Sequence, residues 1–132
     1  MKQLTKGIHH VALKAKGLEE FDKLLHFYHN ILGMPVLRSW GEGEGIGAML
    51  DSGNGAIIEI FANAPDKLEV GPVRHFALAT DDVDACIEAV RAEGYKITME
   101  PRNIIIGRDF PARIAFCIGP VGEELEFFCE KN

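Results

Sequence analysis

The chain contains two copies of one sequence unit, and this duplication restricts the possible folds more than any other feature. Each copy carries a histidine motif followed, most of a copy later, by a glutamate motif. The motifs are His10-Val11-Ala12-Leu13 with Ile58-Glu59-Ile60-Phe61, and His75-Phe76-Ala77-Leu78 with Leu125-Glu126-Phe127-Phe128. The order is the same in both copies and the spacing nearly so. In a chain of 132 residues, this pattern predicts one domain made of two similar modules.

Each copy is predicted to form a strand, a helix and three further strands. Alternating apolar residues predict strands at residues 7–15, 34–40, 46–51, 56–61, 73–79, 95–99, 112–118 and 123–129. Apolar residues at helical spacing predict helices over 18–32 and 83–93. Gly33 and Gly94 follow these helices as C-terminal stops, and either Asp81 or Asp82 caps the start of the second. We therefore expect an α+β fold of two tandem βαβββ modules, at about residues 7–62 and 72–130, joined by a linker at about 63–71.

Two segments are less regular in sequence. Residues 41–45 alternate glycine with glutamate and are predicted to form a hairpin loop. Residues 100–111 combine charged residues with the run Ile104-Ile105-Ile106. For this second segment two interpretations stay open, namely a loop that covers a substrate and an irregular extension of the neighbouring strands.

Composition excludes several classes of function. The formal net charge of −6 argues against a nucleic-acid-binding protein, because phosphate binding needs clustered Lys and Arg. No apolar run approaches the roughly 20 residues that span a bilayer, and the N-terminus lacks a signal-peptide core. We therefore expect a cytoplasmic protein without a membrane partner. Cys86, Cys117 and Cys129 fall in no C-x-x-C spacing, so free thiols are expected.

The four motif residues are predicted to share one face of the sheet. Val11 and Leu13 occupy the helix-packing parity of their strand, so His10 points away from the helices, and the same argument holds for His75. Glu59 and Glu126 likewise alternate with apolar neighbours. A carboxylate on a half-buried face costs several kcal/mol unless a cation pairs with it. A divalent metal bound by His10, Glu59, His75 and Glu126 supplies that charge.

The donor set indicates which metals suit such a site. Two imidazole nitrogens and two carboxylate oxygens favour Ni²⁺, Co²⁺, Zn²⁺, Mn²⁺ or Fe²⁺ and exclude a thiolate-type structural zinc site. Four protein ligands on one open face leave a position for water or substrate. An open position is more typical of a catalytic metal than of a structural one.

Together these motifs resemble the vicinal oxygen chelate superfamily, and within it the glyoxalase I-like (lactoylglutathione lyase-like) proteins. The resemblance covers nearly the whole chain. It rests on the four His and Glu motifs, on Phe27-Tyr28 with Leu32-Gly33-Met34, and on Gly119-Pro120-Val121-Gly122. It implies an open, cupped β-barrel, the glyoxalase/bleomycin resistance/dioxygenase fold, around one divalent metal per site. It also implies a homodimer, with the site formed within one chain or across the dimer.

The resemblance also implies a chemistry for the four residues. The metal would chelate adjacent oxygens of a small-molecule substrate, and a proton would move next to a carbonyl through an enediolate. Glu126 would move that proton, and Glu59 is the second candidate for this role. The expected function is therefore that of a metal-dependent lyase or isomerase. The alternatives are an epimerase of the methylmalonyl-CoA type, an Fe(II) dioxygenase and a non-catalytic binding or resistance protein.

Substrate-binding residues are predicted less directly. Lys14 stands where the family usually has Arg, and it shares the face of His10 at a distance that suits an anionic substrate tail. Asn63 matches a glutathione-contacting Asn of the family, whereas Gly71 stands where another Arg is usual. Glutathione is therefore left open as the thiol. By parity, the remaining substrate-facing residues are predicted to be Arg113, Phe61 and Phe128.

Overall fold

The structure is a computed structural model that describes residues 2–106 and 108–131. The chain divides into two units, Met1–Lys67 and Leu68–Asn132. Each unit contains one four-stranded sheet. The predicted order of a strand, a helix and three further strands is confirmed in both units.

The first unit forms a sheet of strand order β1-β4-β3-β2. Strands β1 and β4 run parallel, whereas β4, β3 and β2 are antiparallel neighbours. The strands are β1 (His10–Lys14), β2 (Val36–Trp40), β3 (Gly47–Gly53) and β4 (Ala56–Phe61). Helix α1 spans Gly17–Leu25. It buries Phe21 and Leu24 in a core that also contains Leu50, Ile58 and Ile60.

The end of the first predicted helix differs from a regular α-helix. Residues His26–Ile31 form a π-helical turn that continues α1, and the Leu32 N–H donates to the Phe27 carbonyl at 3.1 Å. Phe27 and Tyr28 are consecutive, yet both are fully buried, with ring centroids 4.8 Å apart. A regular helix turns about 100° between neighbours, so the wider turn here accompanies the burial of two adjacent aromatic rings.

The second unit repeats this arrangement with the order β5-β8-β7-β6. Its strands are β5 (His75–Ala79), β6 (Ile97–Ile106), β7 (Phe110–Ile118) and β8 (Glu124–Glu130). Helix α2 spans Val83–Ala92, packs on β6, β7 and β8, and buries Val83, Ile87 and Val90. Within the described ranges, no helix is both long and apolar enough to cross a membrane.

The structure decides between the two interpretations of residues 100–111. Strand β6 continues to Ile106 and β7 begins at Phe110, so the two form a long hairpin in which Ile106 pairs with Phe110. The structure agrees with the strand-extension interpretation and not with the alternative of a covering loop. Consecutive β-branched residues favour strand, and the irregularity is confined to register shifts between Ile97 and Arg102. Gly107 lies outside the described residues. In the other irregular segment, Gly43–Gly45 forms a short 3-10 turn.

Asp82 rather than Asp81 caps helix α2. Its carboxylate accepts a hydrogen bond of 3.0 Å from the Ala85 N–H. We expect Asp82→Ala to lower the free energy of unfolding by about 1 kcal/mol, because one N–H of the first turn loses its acceptor. Urea denaturation measures this change. Asp81→Ala is the matched control and should cost clearly less, and equal losses in the two variants would contradict the assignment of the cap.

Candidate metal centre

Each unit brings one histidine and one glutamate together on neighbouring parallel strands. In the first unit, His10 Nε2 on β1 lies 3.4 Å from Glu59 Oε1 on β4. In the second, His75 Nε2 on β5 lies 3.2 Å from Glu126 Oε1 on β8. The register is also the same, since Ala12 pairs with Glu59 and Ala77 with Glu126. The duplicated sequence thus produces the same diagonal His–Glu pair twice.

The alternation of buried neighbours fixes the direction of both glutamates. Ile58 and Ile60 are buried on either side of Glu59, and Leu125 and Phe127 are buried on either side of Glu126. Because successive side chains of a strand point to opposite faces, each glutamate points away from the helix of its unit. The predicted parity of the glutamates agrees with this burial pattern.

Glu126 occupies an unfavourable environment for a bare carboxylate. The residue is only 8% exposed. Burial raises the pKa of Glu126 above its ordinary value, the neighbouring His75 partly opposes this rise, and Glu124 adds to it. A cation bound at this face would relieve the cost of the buried charge.

The two pairs fit the coordination sphere of a divalent metal. Ligand nitrogen and oxygen atoms lie about 2.0–2.2 Å from such an ion, so two adjacent ligands are separated by roughly 3.0–3.4 Å. The separations of 3.4 Å in the first pair and 3.2 Å in the second match this range. Within the described part of the chain, no group of three or more His, Cys, Asp or Glu side chains is arranged as a metal site. The chemistry and the spacing of each pair therefore suit two adjacent ligands of a divalent metal.

Each candidate ligand histidine has a second polar neighbour at its other ring nitrogen. His9 Nδ1 lies 3.0 Å from His10 Nδ1. In the second unit, His75 Nδ1 lies 3.9 Å from Glu124 Oε1, and the His75 ring meets Phe116 edge-on at 5.3 Å. A hydrogen bond at the second ring nitrogen orients a ligand imidazole and fixes its tautomer. The His9–His10 contact is short enough for such a bond, whereas Glu124 lies beside His75 as a neighbouring charge. Sequence reasoning did not assign a role to Glu124 or Phe116. Glu124 shares the strand parity of Glu126, and Phe116 is the partner of Glu126 in the β7–β8 register, so both lie on the face of Glu126.

Two of the predicted substrate residues of the first unit, Lys14 and Phe61, lie on the sheet face of Glu59. Lys14 Nζ lies 6.0 Å from the centre of the Phe61 ring, and Lys14 and Phe61 are partners in the β1–β4 register. The Phe61 ring is 6.1 Å from the ring of Trp40, which sequence reasoning did not select. Asn63 is exposed beyond the end of β4 and forms an isolated bridge with Lys16. Phe128 of the second unit packs against Phe110 at 6.2 Å.

Arg113 was predicted to face the substrate, and this prediction is wrong. Its guanidinium donates two hydrogen bonds to the Asp84 carboxylate of α2, at 2.6 and 2.8 Å. Arg113 shares its strand face with Ala115 and Cys117, which are fully buried. The face opposite that of Phe116 is thus the helix face, and Arg113 extends along it to the first turn of α2. The hydrogen bonds from Arg113, helped by its charge, hold the pKa of Asp84 below its ordinary value.

The ion pair of Arg113 and Asp84 predicts a structural role for both residues. We expect Arg113→Met to leave kcat and KM unchanged within about twofold, since the guanidinium points away from the face of Glu126. A small loss of stability should appear at neutral pH. Because the pKa of Asp84 is lowered in the folded chain, this contribution is present above the ordinary carboxyl pKa and is lost as pH falls through the lowered value. Urea denaturation at pH 7 and pH 3 measures it, with Asp84→Asn as the matched variant. A raised KM in Arg113→Met would contradict the structural role.

Comparison with known proteins gives consistent matches. The family model described as the Glyoxalase/Bleomycin resistance protein/Dioxygenase superfamily matches residues 7–127. The chain is similar to a lactoylglutathione lyase of Haemophilus influenzae, with 33% identity, 86% of this chain and 87% of that protein covered. It is also similar to a probable lactoylglutathione lyase of Synechocystis, with 33% identity and coverages of 81% and 85%. Glyoxalase I from Zea mays matches with a TM-score of 0.71 and 27% identity, over 92% of this chain and 43% of that one.

Proposed function

The chain belongs to the glyoxalase/bleomycin resistance protein/dioxygenase superfamily, and from this membership we propose that it is a metal-dependent lyase or isomerase of the glyoxalase I kind. The observation that carries the proposal is the pair of matching His–Glu contacts, at 3.4 and 3.2 Å. Relatives named lactoylglutathione lyase, at about one third identity, support the same class of reaction.

We assign the metal ligands to the residues of both pairs. His10 and Glu59 of the first unit and His75 and Glu126 of the second would together hold one divalent ion. When bound, that ion acts as a Lewis acid on a carbonyl and its neighbouring oxygen. The donor set accepts Ni²⁺, Co²⁺, Zn²⁺, Mn²⁺ or Fe²⁺, so the native metal is to be found by measurement.

Glu126 is our first candidate for the residue that moves the proton. It is buried, and burial raises its pKa, which makes its carboxylate a stronger base than an exposed one. In this role it would remove a proton from one carbon of the substrate and return it to the adjacent carbon. Glu59 holds the corresponding position in the first unit and is the second candidate.

Four further side chains would position the substrate. Lys14 offers a positive charge and Asn63 a polar amide at the end of the first sheet, where they would hold an anionic tail. Phe61 and Phe128 would provide apolar walls beside the two glutamates. Lys14 replaces an arginine that is usual in the family, and Gly71 replaces a second one, so we do not assign glutathione as the thiol.

A substrate screen on metal-reconstituted protein tests the proposal. Methylglyoxal is offered with several thiols, and 2-oxo compounds and CoA thioesters are tested in parallel for epimerisation. We expect metal-dependent isomerisation of at least one hemithioacetal. Turnover of CoA thioesters alone would indicate an epimerase. Oxygen consumption with Fe²⁺ would indicate a dioxygenase, and metal-independent binding without turnover would indicate a binding protein.

The proposal extends to the assembly and the location of the protein. We propose a homodimer in the cytoplasm, acting on a small molecule with adjacent oxygens. Light scattering of the metal-loaded protein measures the mass in solution, and a mass of one chain at micromolar concentration would contradict the dimer.

A further inference from the structure

A row of residues next to Glu59 joins two residues that the proposed function uses to two that it does not, Gly47 and Trp40. The paired positions across the sheet of the first unit are Lys14 on β1, Phe61 on β4, Gly47 on β3 and Trp40 on β2. Because partners in register share a face, the four lie on the face of Glu59. We propose that this row binds an aromatic ring that carries a carboxylate, with the ring on Trp40 and the carboxylate on Lys14. The further statement that this aromatic group belongs to the substrate rests on the proposed function.

Gly47 provides the floor on which the indole lies. A Cβ atom added to Gly47 would come within 2.5 Å of Cζ2 of Trp40 and within 2.7 Å of its Nε1. The indole therefore packs directly on the backbone of β3, where no side chain larger than hydrogen leaves it room. On one flank it also meets Phe61, at 6.1 Å between ring centroids and an interplanar angle of 65°.

Trp40 is held in place but is not covered. The residue remains 37% exposed, although a large apolar side chain gains free energy when it is buried. An indole that rests on a rigid floor and keeps part of its surface open is suited to stacking with a flat ring, and it loses little conformational entropy when it does so. Stacking of this kind accepts any ring of similar size, so it defines a class of ligand rather than one compound.

Lys14 adds the charge that selects an anion. Its ammonium lies 6.0 Å from the centre of the Phe61 ring. Lys14 on β1 and Trp40 on β2 are at the two ends of the row. Glu59 precedes Phe61 by two residues, so the row lies about 7 Å along the strand from the glutamate. A ligand bound on this row is therefore close enough for its reacting end to reach Glu59.

The second unit shows that the fold does not need this composition. The same register there contains Ala79, Phe128, Ile114 and Arg102 in place of Lys14, Phe61, Gly47 and Trp40. The phenylalanine is kept in both units, as are the histidine and the glutamate. The tryptophan, its glycine floor and the lysine occur only in the first unit. This asymmetry is expected of a binding function that only one half of a duplicated protein performs.

Trp40 is the only tryptophan of the chain, so its fluorescence reports directly on the proposed site. We would titrate metal-free protein, held in excess chelator, with 4-(4-nitrophenyl)butyrate and with 4-cyclohexylbutyrate. We expect saturable quenching by the aromatic compound, and calorimetry should show about tenfold weaker binding of the cyclohexyl compound. Equal affinity for the two compounds, or quenching that does not saturate, would overturn the proposal.

Three variants locate the binding, and calorimetry replaces fluorescence where the indole is removed. Trp40→Leu and Gly47→Ala should each weaken binding of the nitrophenyl compound about tenfold, the second by displacing the ring. Lys14→Met should weaken binding of the carboxylate but not of its neutral amide. Phe110→Leu removes another partly exposed aromatic residue, in the second unit, and should change nothing. Unchanged affinity in Trp40→Leu, or an equal loss in Phe110→Leu, would overturn the assignment.

A separate assay tests whether the aromatic group belongs to the substrate. The metal-loaded protein is given hemithioacetals of methylglyoxal with 4-mercaptophenylacetate and with 3-mercaptopropionate. We expect kcat/KM to favour the aryl thiol and this preference to disappear in Trp40→Leu. Turnover without any preference would overturn the substrate assignment. An absence of all turnover would instead count against the proposed function, because the titration on metal-free protein is independent of it.

Discussion

Replacing Glu126 with Gln is expected to lower kcat/KM by about 10²–10⁴-fold, the usual contribution of a positioned general base. The amide keeps the size of the side chain and one oxygen that can bind a metal, but it cannot accept the proton. Metal affinity should therefore fall much less than turnover. Steady-state kinetics on the best substrate of the screen, together with metal titration of the same variant, measures both effects.

Glu124→Gln is the matched control for this experiment. Glu124 lies on the same strand and face, two residues before Glu126, and its carboxylate is 3.9 Å from His75 Nδ1. Its replacement removes the same charge from the same region and should reduce turnover by tenfold or less. Turnover that survives in Glu126→Gln but is lost in Glu59→Gln would transfer the role of base to Glu59. Turnover that survives in both would refute the proposed proton transfer.

Glu126→Gln is expected to stabilise the metal-free protein, although it lowers turnover. Burial raises the pKa of Glu126 in the folded chain, so the ionised carboxylate destabilises the fold at neutral pH. This penalty disappears as pH falls through the raised pKa toward the ordinary value. Metal-free Glu126→Gln should therefore have a higher Tm than the wild type at pH 7 and no advantage at pH 4. A lower Tm at pH 7 would show that the carboxylate is already well compensated without a metal.

Loss of either histidine should remove the stabilisation that a bound metal provides. At a free metal concentration of 100 times Kd, the wild type should gain about 2.7 kcal/mol. His10→Ala and His75→Ala each delete one of four ligands, so each should gain little at the same metal concentration. Urea denaturation with and without metal measures the gain. His26→Ala, on the π-helical turn of the first unit, is the control and should retain it, and an equal gain in all three variants would contradict the ligand assignment.

Mixing the two histidine variants shows whether the site belongs to one chain or to a dimer. If the ligands come from two chains, a mixed dimer of His10→Ala and His75→Ala regains one intact site. About a quarter of the wild-type activity should then return after random exchange of subunits. If all four ligands come from one chain, every site lacks a histidine and the mixture stays inactive. The separate variants also test the ligand assignment. Full activity in one of them would show that its histidine is not a ligand.

The direction of the two candidate glutamates could be predicted because it depends on strand parity alone. Alternation with the buried Ile58, Ile60, Leu125 and Phe127 was enough to direct Glu59 and Glu126 away from the helices, because the two faces of a strand follow directly from sequence order. The prediction for Arg113 was wrong for a related reason. Its strand has apolar residues at both parities, so the sequence did not distinguish the helix face, and the Asp84 partner is distant in sequence.

Trp40 and Gly47 of the proposed aromatic site were not predicted from the sequence, because their contact depends on the register between strands. Trp40 meets Phe61 only through the pairing of β2 with β3 and of β3 with β4. Its place over Gly47 also depends on the absence of a side chain there, which no pattern within β2 reveals. The extension of β6 and β7 into one hairpin likewise required the pairing of Ile104, Ile105 and Ile106 with β7.

The sequence alone determined the duplicated βαβββ order, the two His–Glu motifs and the family, because these are written in the order and periodicity of residues along the chain. Only the tertiary structure decided three features. Each histidine lies 3.2–3.4 Å from its glutamate, Arg113 forms an ion pair with Asp84 of α2, and Trp40 lies on Gly47. These depend on contacts across strands and between strand and helix. Their energies are set by packing and burial between segments that are distant in sequence, and local periodicity carries no information about such contacts.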